Sequence, residues 1–415
     1  MSRFPRPGRR PQDPAVAELV RAAQSSMSRR ALLGAGLATT GLAAVGCAPP
    51  EPPSGGVAAL ELPKDLSDTE KLVRWANWTA YLDYDEEKKV YPTLERFIKE
   101  TGIQAEYFED IEDNDSFYSK VAPQLRAGQH IDRDIITMTD YMAGRMIREQ
   151  LVQPLEMVRM GNVASNLLEP LKDVTFDPGR QHSVTWQSGF GGIGYDKSRV
   201  NAEIRTLDDL WNTPELKGRI VVLSEFRDTV AMIMQSQGVD LTSDWGKTEF
   251  EKAVDVIDEK ISDGTIRRIK GNSYLEDLKS GNALAGIVWS GDLFILRYET
   301  ENPDWEFVIP ESGGTLWSDN MMVPITSPHR RNAQRLMDFY YQPDVAALVA
   351  AYVNYVCPVE GAQAEMEKID PELAESPFIF PSTEFIAENN IQGFPGLTPE
   401  EEVEYSEIWA RVVGN

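Results

Sequence analysis

Cysteine and histidine are scarce in this chain: two Cys (Cys47 and Cys357) and three His (His130, His182 and His329) among 415 residues. The two cysteines stand in unlike contexts, and neither has a second Cys or His at ligand spacing. No disulfide is expected, and a zinc site or thiol redox pair finds no support. The scattered histidines form no nucleophile–base arrangement. Positive charge is also in deficit, since 66 acidic against 41 basic residues give a formal charge of -25. Such a balance repels phosphate backbones and argues against nucleic acid, while favouring the approach of cations. No apolar run reaches the ~20 residues that a membrane-spanning helix needs, and no internal repeat is visible. The acidic stretch Glu109-Asp110-Ile111-Glu112-Asp113-Asn114-Asp115 lacks the Gly and the terminal Glu of a calcium loop, so no metal is expected there.

What is present is the composition of a globular protein, 42% apolar, 9% aromatic and 26% charged, on a chain long enough for two lobes rather than one core. The N-terminus reads as an address. Ser28-Arg29-Arg30-Ala31-Leu32-Leu33 precedes an uncharged run, Gly34 to Gly46, and Ala44-Val45-Gly46-Cys47 closes it. A charged region, a short apolar region and small residues before a cut describe an export signal. The arginine pair resembles a twin-arginine signal, and the four residues ending in Cys47 resemble a bacterial lipobox. Residues 1–46 are therefore expected to be a twin-arginine lipoprotein signal, with lipidation at Cys47. Residues 47–68, rich in Pro, Gly, Ser and Ala, read as a flexible tether to the membrane. Because residues 1–46 carry more arginines than acids (Asp13 and Glu18), their removal makes the chain more acidic still.

Past the tether, strand and helix patterns alternate, which predicts an α/β fold with a parallel sheet. Leu72–Trp78 reads as a strand, Glu86–Thr101 as a helix closed by Gly102, and Gln104–Phe108 as a strand. A helix bearing Phe117, Val121 and Leu125 is expected to be capped by Asn114, Asp115 or Ser116. Asp134–Met138 is a strand ending at Thr139-Asp140-Tyr141. Gly189-Phe190-Gly191-Gly192-Ile193-Gly194 has the spacing of a dinucleotide fingerprint, but no helix pattern follows, so it reads as a glycine-bearing crossing strand. A second set follows: the strand Arg219–Leu223 with Ser224-Glu225-Phe226-Arg227-Asp228, a helix over Phe250–Ile261, and the strand Ala283–Val288 leading to Trp289. Helices are read over Asn332–Tyr352 and Glu401–Val413.

The segment Gly313-Gly314-Thr315-Leu316-Trp317-Ser318-Asp319 stands out. In extended backbone, residues two apart point the same way, so Trp317 and Asp319 face one space. An indole face beside a carboxylate suits an organic cation. The alternative for this stretch alone is a core Trp beside a helix-capping Asp. Strand ends elsewhere deliver the same chemistry: Trp78 and Tyr81, Tyr141 beside Asp140, Glu225 and Asp228, and Trp289. The recurrence favours a site, because ligands in α/β sheets sit at the carboxyl ends of strands.

On the segments Asn77-Trp78-Thr79-Ala80-Tyr81, Thr139-Asp140-Tyr141, Ser224-Glu225-Phe226-Arg227-Asp228, Ile287-Val288-Trp289 and Gly313–Asp319, the chain resembles the substrate-binding lipoproteins of polyamine (spermidine/putrescine) ABC transporters. The resemblance runs from about Leu72 to about Tyr355. It implies a two-lobed, periplasmic-binding-protein-like (type II) clamp with two crossing strands at the hinge. Lobe 1 is expected over 69–186 and 320–357, and lobe 2 over 187–319 and 358–415, the tail following lobe 2 by analogy. It implies Trp78, Thr79 and Tyr81 in the first-lobe wall, joined by Thr139 and Tyr141. Glu225 and Asp228 receive a terminal ammonium, Trp289 and Trp317 sandwich the methylene chain, Asp319 pairs with an amine, and Tyr355 lines the cleft. Trp186 and Gln392 are further matches. Ala80 stands where family members can carry a polar or acidic residue, and Asp140 is an added acid. The implied role is an extracytoplasmic polyamine receptor, monomeric, delivering its ligand to a permease, with no cofactor and no enzymatic step. A receptor for another solute such as a sugar, or a secreted hydrolase using Glu225 and Asp228 as paired carboxylates, is the alternative.

Overall fold

Residues 61–413 are described in a computed structural model; the export signal, Cys47 and the tether up to residue 60 lie outside the described residues. Cys357 is buried as a free thiol. Among the described residues ten strands make one sheet: β1 (Leu72–Trp78), β2 (Gln104–Ile111), β3 (Ile135–Thr139), β4 (Ser183–Asp196), β5 (Ile220–Leu223), β6 (Ile266–Lys270), β7 (Ala285–Trp289), β8 (Trp305–Val308), β9 (Thr315–Met322) and β10 (Gln392–Gly393). Their order is β2-β1-β3-β9-β4-β7-β5-β6, with β8 beside β4 and β10 beside β9. Two parallel halves flank a central antiparallel pair. β1 is parallel to β2 and β3, and β5 is parallel to β6 and β7. Between them, β9 pairs antiparallel with both β3 and β4, and β4 pairs antiparallel with β7. The chain thus passes from one half to the other along β4 and returns along β9. All of β4 is buried, and its glycine-rich stretch is the crossing strand its pattern predicts.

The helices that place the cleft are α1 (Pro92–Thr101), α2 (Asn114–Arg126), α3 (Asp140–Arg148), α4 (Phe226–Ser236), α5 (Lys247–Ser262), α6 (Ser290–Glu299), α7 (Arg330–Tyr340), α8 (Pro343–Val353) and α9 (Pro399–Val413). Three differ from the sequence reading. α1 starts at Pro92 rather than Glu86, because proline is favoured in a first turn, where its missing N–H costs nothing, while Asp85 and Val90 pair as a small antiparallel bridge. α2 is capped by Asp113, whose side chain accepts from Ser116 N at 3.1 Å, not by Asn114, Asp115 or Ser116. The run read over Asn332–Tyr352 is two helices, since Pro343 cannot continue a helix and instead opens α8.

The last helix of the tail is fastened to the β5–β6 side, while the stretch just after residue 357 is bonded to the first half, where Leu168 N donates to Pro358 O at 3.0 Å. Tyr405 of α9 stacks on Phe250 of α5 at 4.4 Å and 11°, and Trp409 Nε1 donates to Ser224 O at 2.8 Å. Gln392 pairs with Thr315 through β10, and its Oε1 accepts from Leu241 N, so it braces the tail instead of lining a cleft. Trp186 is likewise core: its ring meets Trp75 edge-on at 4.7 Å and Tyr340 at 5.1 Å. Among the described residues no helix is long and apolar enough to cross a membrane.

Candidate functional site

The carboxyl ends of β1, β3, β5 and β7 converge with β9 on one cleft. The structure brings the sequence-predicted cleft residues to it, Trp186 and Gln392 apart. Trp78, Thr79 and Tyr81 come from the end of β1, Thr139 and Tyr141 from the β3–α3 junction. Glu225 and Asp228 come from the start of α4, Trp289 from β7, Trp317 and Asp319 from β9, and Tyr355 from the segment after α8. Trp317 and Asp319 do face one space, as period-two geometry requires. Ala80 does not line the cleft; it sits in the left-handed region (φ 56°), and its N–H donates to Glu109 Oε1 at 2.9 Å.

Carboxylates dominate the polar lining. Asp319, 4% exposed, accepts from Thr139 Oγ1 at 2.7 Å. Burial, with Asp140 and Asp228 nearby, pushes it up to about 7. Glu225 accepts from Asn114 Nδ2 at 2.8 Å and from Tyr141 Oη at 2.9 Å. Burial and the charges of Asp113 and Asp115 push it up to about 8. Asp228 accepts from Thr315 Oγ1 at 2.6 Å and Trp289 Nε1 at 3.0 Å, and is raised by burial. Asp140 accepts from Asn320 Nδ2 at 2.7 Å and is raised to about 6, again by burial. A fifth acid, Asp292, accepts from Tyr274 Oη at 2.7 Å and Tyr355 Oη at 2.8 Å, and burial lifts it to about 6. One basic residue, Arg227, lines the same cleft; its guanidinium lies 3.3 Å from the centre of the Tyr141 ring.

The aromatic wall differs from the sandwich predicted for Trp289 and Trp317. Their rings are 6.2 Å apart at 70° and meet edge to face, leaving no parallel slot for a methylene chain between them. Trp78 packs edge-on against Trp289 at 6.4 Å, and Tyr355 bridges Trp317 at 5.2 Å and Tyr81 at 5.4 Å. Tilted rings of this kind present both faces and edges to the cleft. Trp317 Nε1 is buried without a hydrogen-bond partner, which is costly unless something in the cleft supplies one, while the buried Tyr81 hydroxyl faces the Asp319 carboxylate. Gly189 makes the packing of Trp317 possible, since a Cβ there would lie 2.4 Å from Trp317 Cζ2.

Residues missed in the sequence are Asn114, Arg227, Asn272, Asp292, Thr315, Leu316 and Phe394. Asp292 stands three residues after Trp289, where it reads as an ordinary first-turn acid of α6. From its neighbours alone Asn114 reads only as a helix cap. No local signal marks Phe394, which reaches the cleft through the fold of the tail.

A cleft set between two parallel α/β halves, crossed by two strands and lined by acids and aromatics, defines a solute-binding clamp. The chain belongs to the bacterial extracellular solute-binding protein family, whose model matches residues 93–379. It is 25% identical over 355 residues to the spermidine/putrescine-binding periplasmic protein of Escherichia coli (strain K12), covering 85% of this chain and 95% of that relative. Against the putrescine-binding periplasmic protein SpuD of Pseudomonas aeruginosa (strain UCBPP-PA14) it is 22% identical over 374 residues, 86% of this chain and 95% of that one. Among solved structures, a putative spermidine/putrescine ABC transporter from Listeria monocytogenes matches with a TM-score of 0.70 and 26% identity, over 83% of this chain and 99% of that chain. Members of this family bind solutes and do not transform them, so the protein is not an enzyme and the reading of Glu225 and Asp228 as a catalytic pair falls away.

Proposed function

We propose that this protein is the extracytoplasmic receptor of an ABC importer and binds a polyamine of the putrescine/spermidine class in the cleft, handing it to the membrane permease. The observation that carries the reading is a cluster of five acids set among aromatic rings, Glu225, Asp228, Asp292 and Asp319 buried and Asp140 half-buried. Buried carboxylates are expensive unless a cation meets them. One arginine does not balance five acids, whereas a flexible polycation does. Charge-assisted hydrogen bonds contribute about 1.5–3 kcal/mol each and cation–π contacts roughly 0.5–2, so two or three such sites reach the ~8 kcal/mol of micromolar binding. The similarity to relatives named for spermidine and putrescine points the same way. A sugar needs no convergent acids, which sets the sugar receptor behind.

Within this reading, Asp319 and the Glu225/Asp228 pair take the amines, and Trp78, Trp289, Trp317, Tyr141 and Tyr355 form the apolar channel. Thr79, Thr139 and Tyr81 supply hydroxyl contacts. The β1–β3 half and the β5–β7 half act as lobes hinged on β4 and β9, with boundaries near 186 and 320. The twin-arginine motif and Cys47 support export and a lipid anchor, with the stretch 47–68 as tether. The protein acts as a monomer.

Titrating the mature chain, stripped of carried-over ligand, with putrescine, spermidine, spermine and a sugar panel tests the reading by heat or Trp fluorescence. Micromolar or tighter binding of at least one polyamine is expected. Silence towards all three polyamines overturns it.

A further inference from the structure

Glu402 lies on α9, outside the cleft lining, yet it joins both halves of the molecule. Its helix is held by the second half through the Tyr405–Phe250 stack and the Trp409–Ser224 hydrogen bond. Its carboxylate reaches the first half: Oε2 meets Arg148 Nη2 of α3 at 2.8 Å. The other oxygen, Oε1, faces Arg227 Nη2 of α4 at 3.6 Å. Arg148 is on the helix whose first turn holds Asp140 and Tyr141. Arg227 covers the Tyr141 ring, and Tyr141 Oη donates to Glu225 Oε2 at 2.9 Å. One side chain therefore ties Arg148 of the first half to the second half and connects to an acid of the cleft through Arg227 and Tyr141.

Other contacts across the rim are short and local: Ser224 Oγ donates to Asp113 Oδ2 at 2.9 Å, and Ser273 N donates to Glu112 Oε1 at 2.8 Å. The Glu402 bridge differs in involving charges of opposite sign and in belonging to the tail. Its carboxylate is largely buried, with a side chain 13% exposed, as is Arg227 at 11%, while Arg148 is 44% exposed. Any separation of the halves must break the Arg148–Glu402 pair and uncover Glu402.

We infer that Glu402 is a latch on the closed clamp: it holds α3 of the first half to the tail on the second and presses Arg227 onto Tyr141, so that it governs how long the ligand stays. This rests on the polyamine-receptor reading for its ligand. It makes Glu402 a positioning residue, since it reaches the cleft only through Arg227.

The test uses the full mature chain with Arg148→Met, Glu402→Gln and the double variant, none of which alters a cleft-lining residue. Stopped-flow Trp fluorescence with putrescine and spermidine measures association and dissociation separately. Each single variant is expected to raise the dissociation rate about two- to fivefold, the range for a half-exposed ion pair, with association unchanged and the double variant little worse than either single one. The melting temperature without ligand stays put. Unchanged dissociation, or additive effects that track a falling melting temperature, overturns the latch. Small-angle scattering of the ligand-free wild type and Arg148→Glu gives a readout that needs no ligand: a larger radius of gyration in the variant supports the latch, and identical curves reject it. If the wild type binds no polyamine, the receptor reading fails and the scattering result alone judges the latch.

Discussion

Thr139 donates its hydroxyl proton to Asp319 Oδ1 at 2.7 Å while accepting from Asn114 Nδ2 at 2.9 Å. The same Asn114 amide also donates to Glu225 Oε1 at 2.8 Å. Two acids from different strand ends are thereby connected through one threonine and one asparagine. The arrangement orients each carboxylate without neutralising it, since hydroxyl and amide donors carry no charge. Asp319 and Glu225 keep their demand for a cation, and both are held above the ordinary carboxylate range by burial.

Asp319→Asn keeps the shape and removes the charge. Loss of one charge-assisted contact corresponds to 1.5–3 kcal/mol, so polyamine affinity is expected to fall about 10- to 150-fold. The ligand-free protein should melt no lower than wild type, because a buried carboxylate has been replaced by a neutral amide. Calorimetric titration and a thermal scan check the two halves of the prediction. Unaltered affinity makes Asp319 a structural residue.

The pH dependence follows from the same acids. Asp319 rises from 3.8 to about 7, Glu225 from 4.5 to about 8, and Asp140 and Asp292 from 3.8 to about 6. A raised acid holds its proton more tightly in the folded state than in the unfolded one. Its contribution is fully present below the unfolded value near 4 and is lost as pH rises through the folded value. The ligand-free protein should therefore lose melting temperature, by at least about 2 °C, between pH 6 and pH 8. Polyamine binding runs the opposite way: it needs ionised acids, strengthens over the same window, and releases protons. Thermal scans with and without spermidine, and calorimetry in two buffers of different ionisation heat, measure both signs. A melting temperature that climbs from pH 6 to 8 without ligand contradicts the assignment.

The elements and most of the cleft were legible because each was encoded within a few residues. Strand ends such as Trp78, Thr139 and Trp289 follow apolar runs, and period-two geometry pairs Trp317 with Asp319. What escaped depends on contacts far apart in the chain. Asn114 looks like a cap from its neighbours alone; Asp113 takes that role because the helix begins a residue earlier, and Asn114 is thereby released to Thr139 and Glu225. The tilt of Trp289 against Trp317 is set by Tyr355 and Asp228, which come from other parts of the chain. Phe394 follows β10, which pairs with β9, and its ring packs on Phe226 and Trp245 from distant parts of the chain.

Asn114→Ala tests that unforeseen residue. The change takes a donor from both Glu225 and Thr139, and an unsatisfied buried acceptor costs about 1–3 kcal/mol. Polyamine affinity is expected to drop at least about fivefold, with a lower melting temperature in the ligand-bound protein. Competitive titration against wild type checks it, and equal affinities would mean that water replaces the amide at no loss.

Gly189→Ala reaches the aromatic wall without touching any polar group. An added Cβ would sit 2.4 Å from Trp317 Cζ2 and 2.8 Å from Tyr355 Cδ1, closer than carbon atoms can approach, so both rings must move. The backbone there is regular β4 paired with Trp317 of β9, and alanine is compatible with a strand, so the fold is expected to survive. Both rings line the cleft, and their displacement consumes the space that a methylene chain needs. Overpacking costs typically 1–3 kcal/mol, which corresponds to a loss of affinity of roughly 5- to 150-fold together with altered Trp fluorescence in the ligand-free protein. Near-ultraviolet circular dichroism separates a moved ring from a lost fold. Native affinity in this variant would place the ligand away from Trp317.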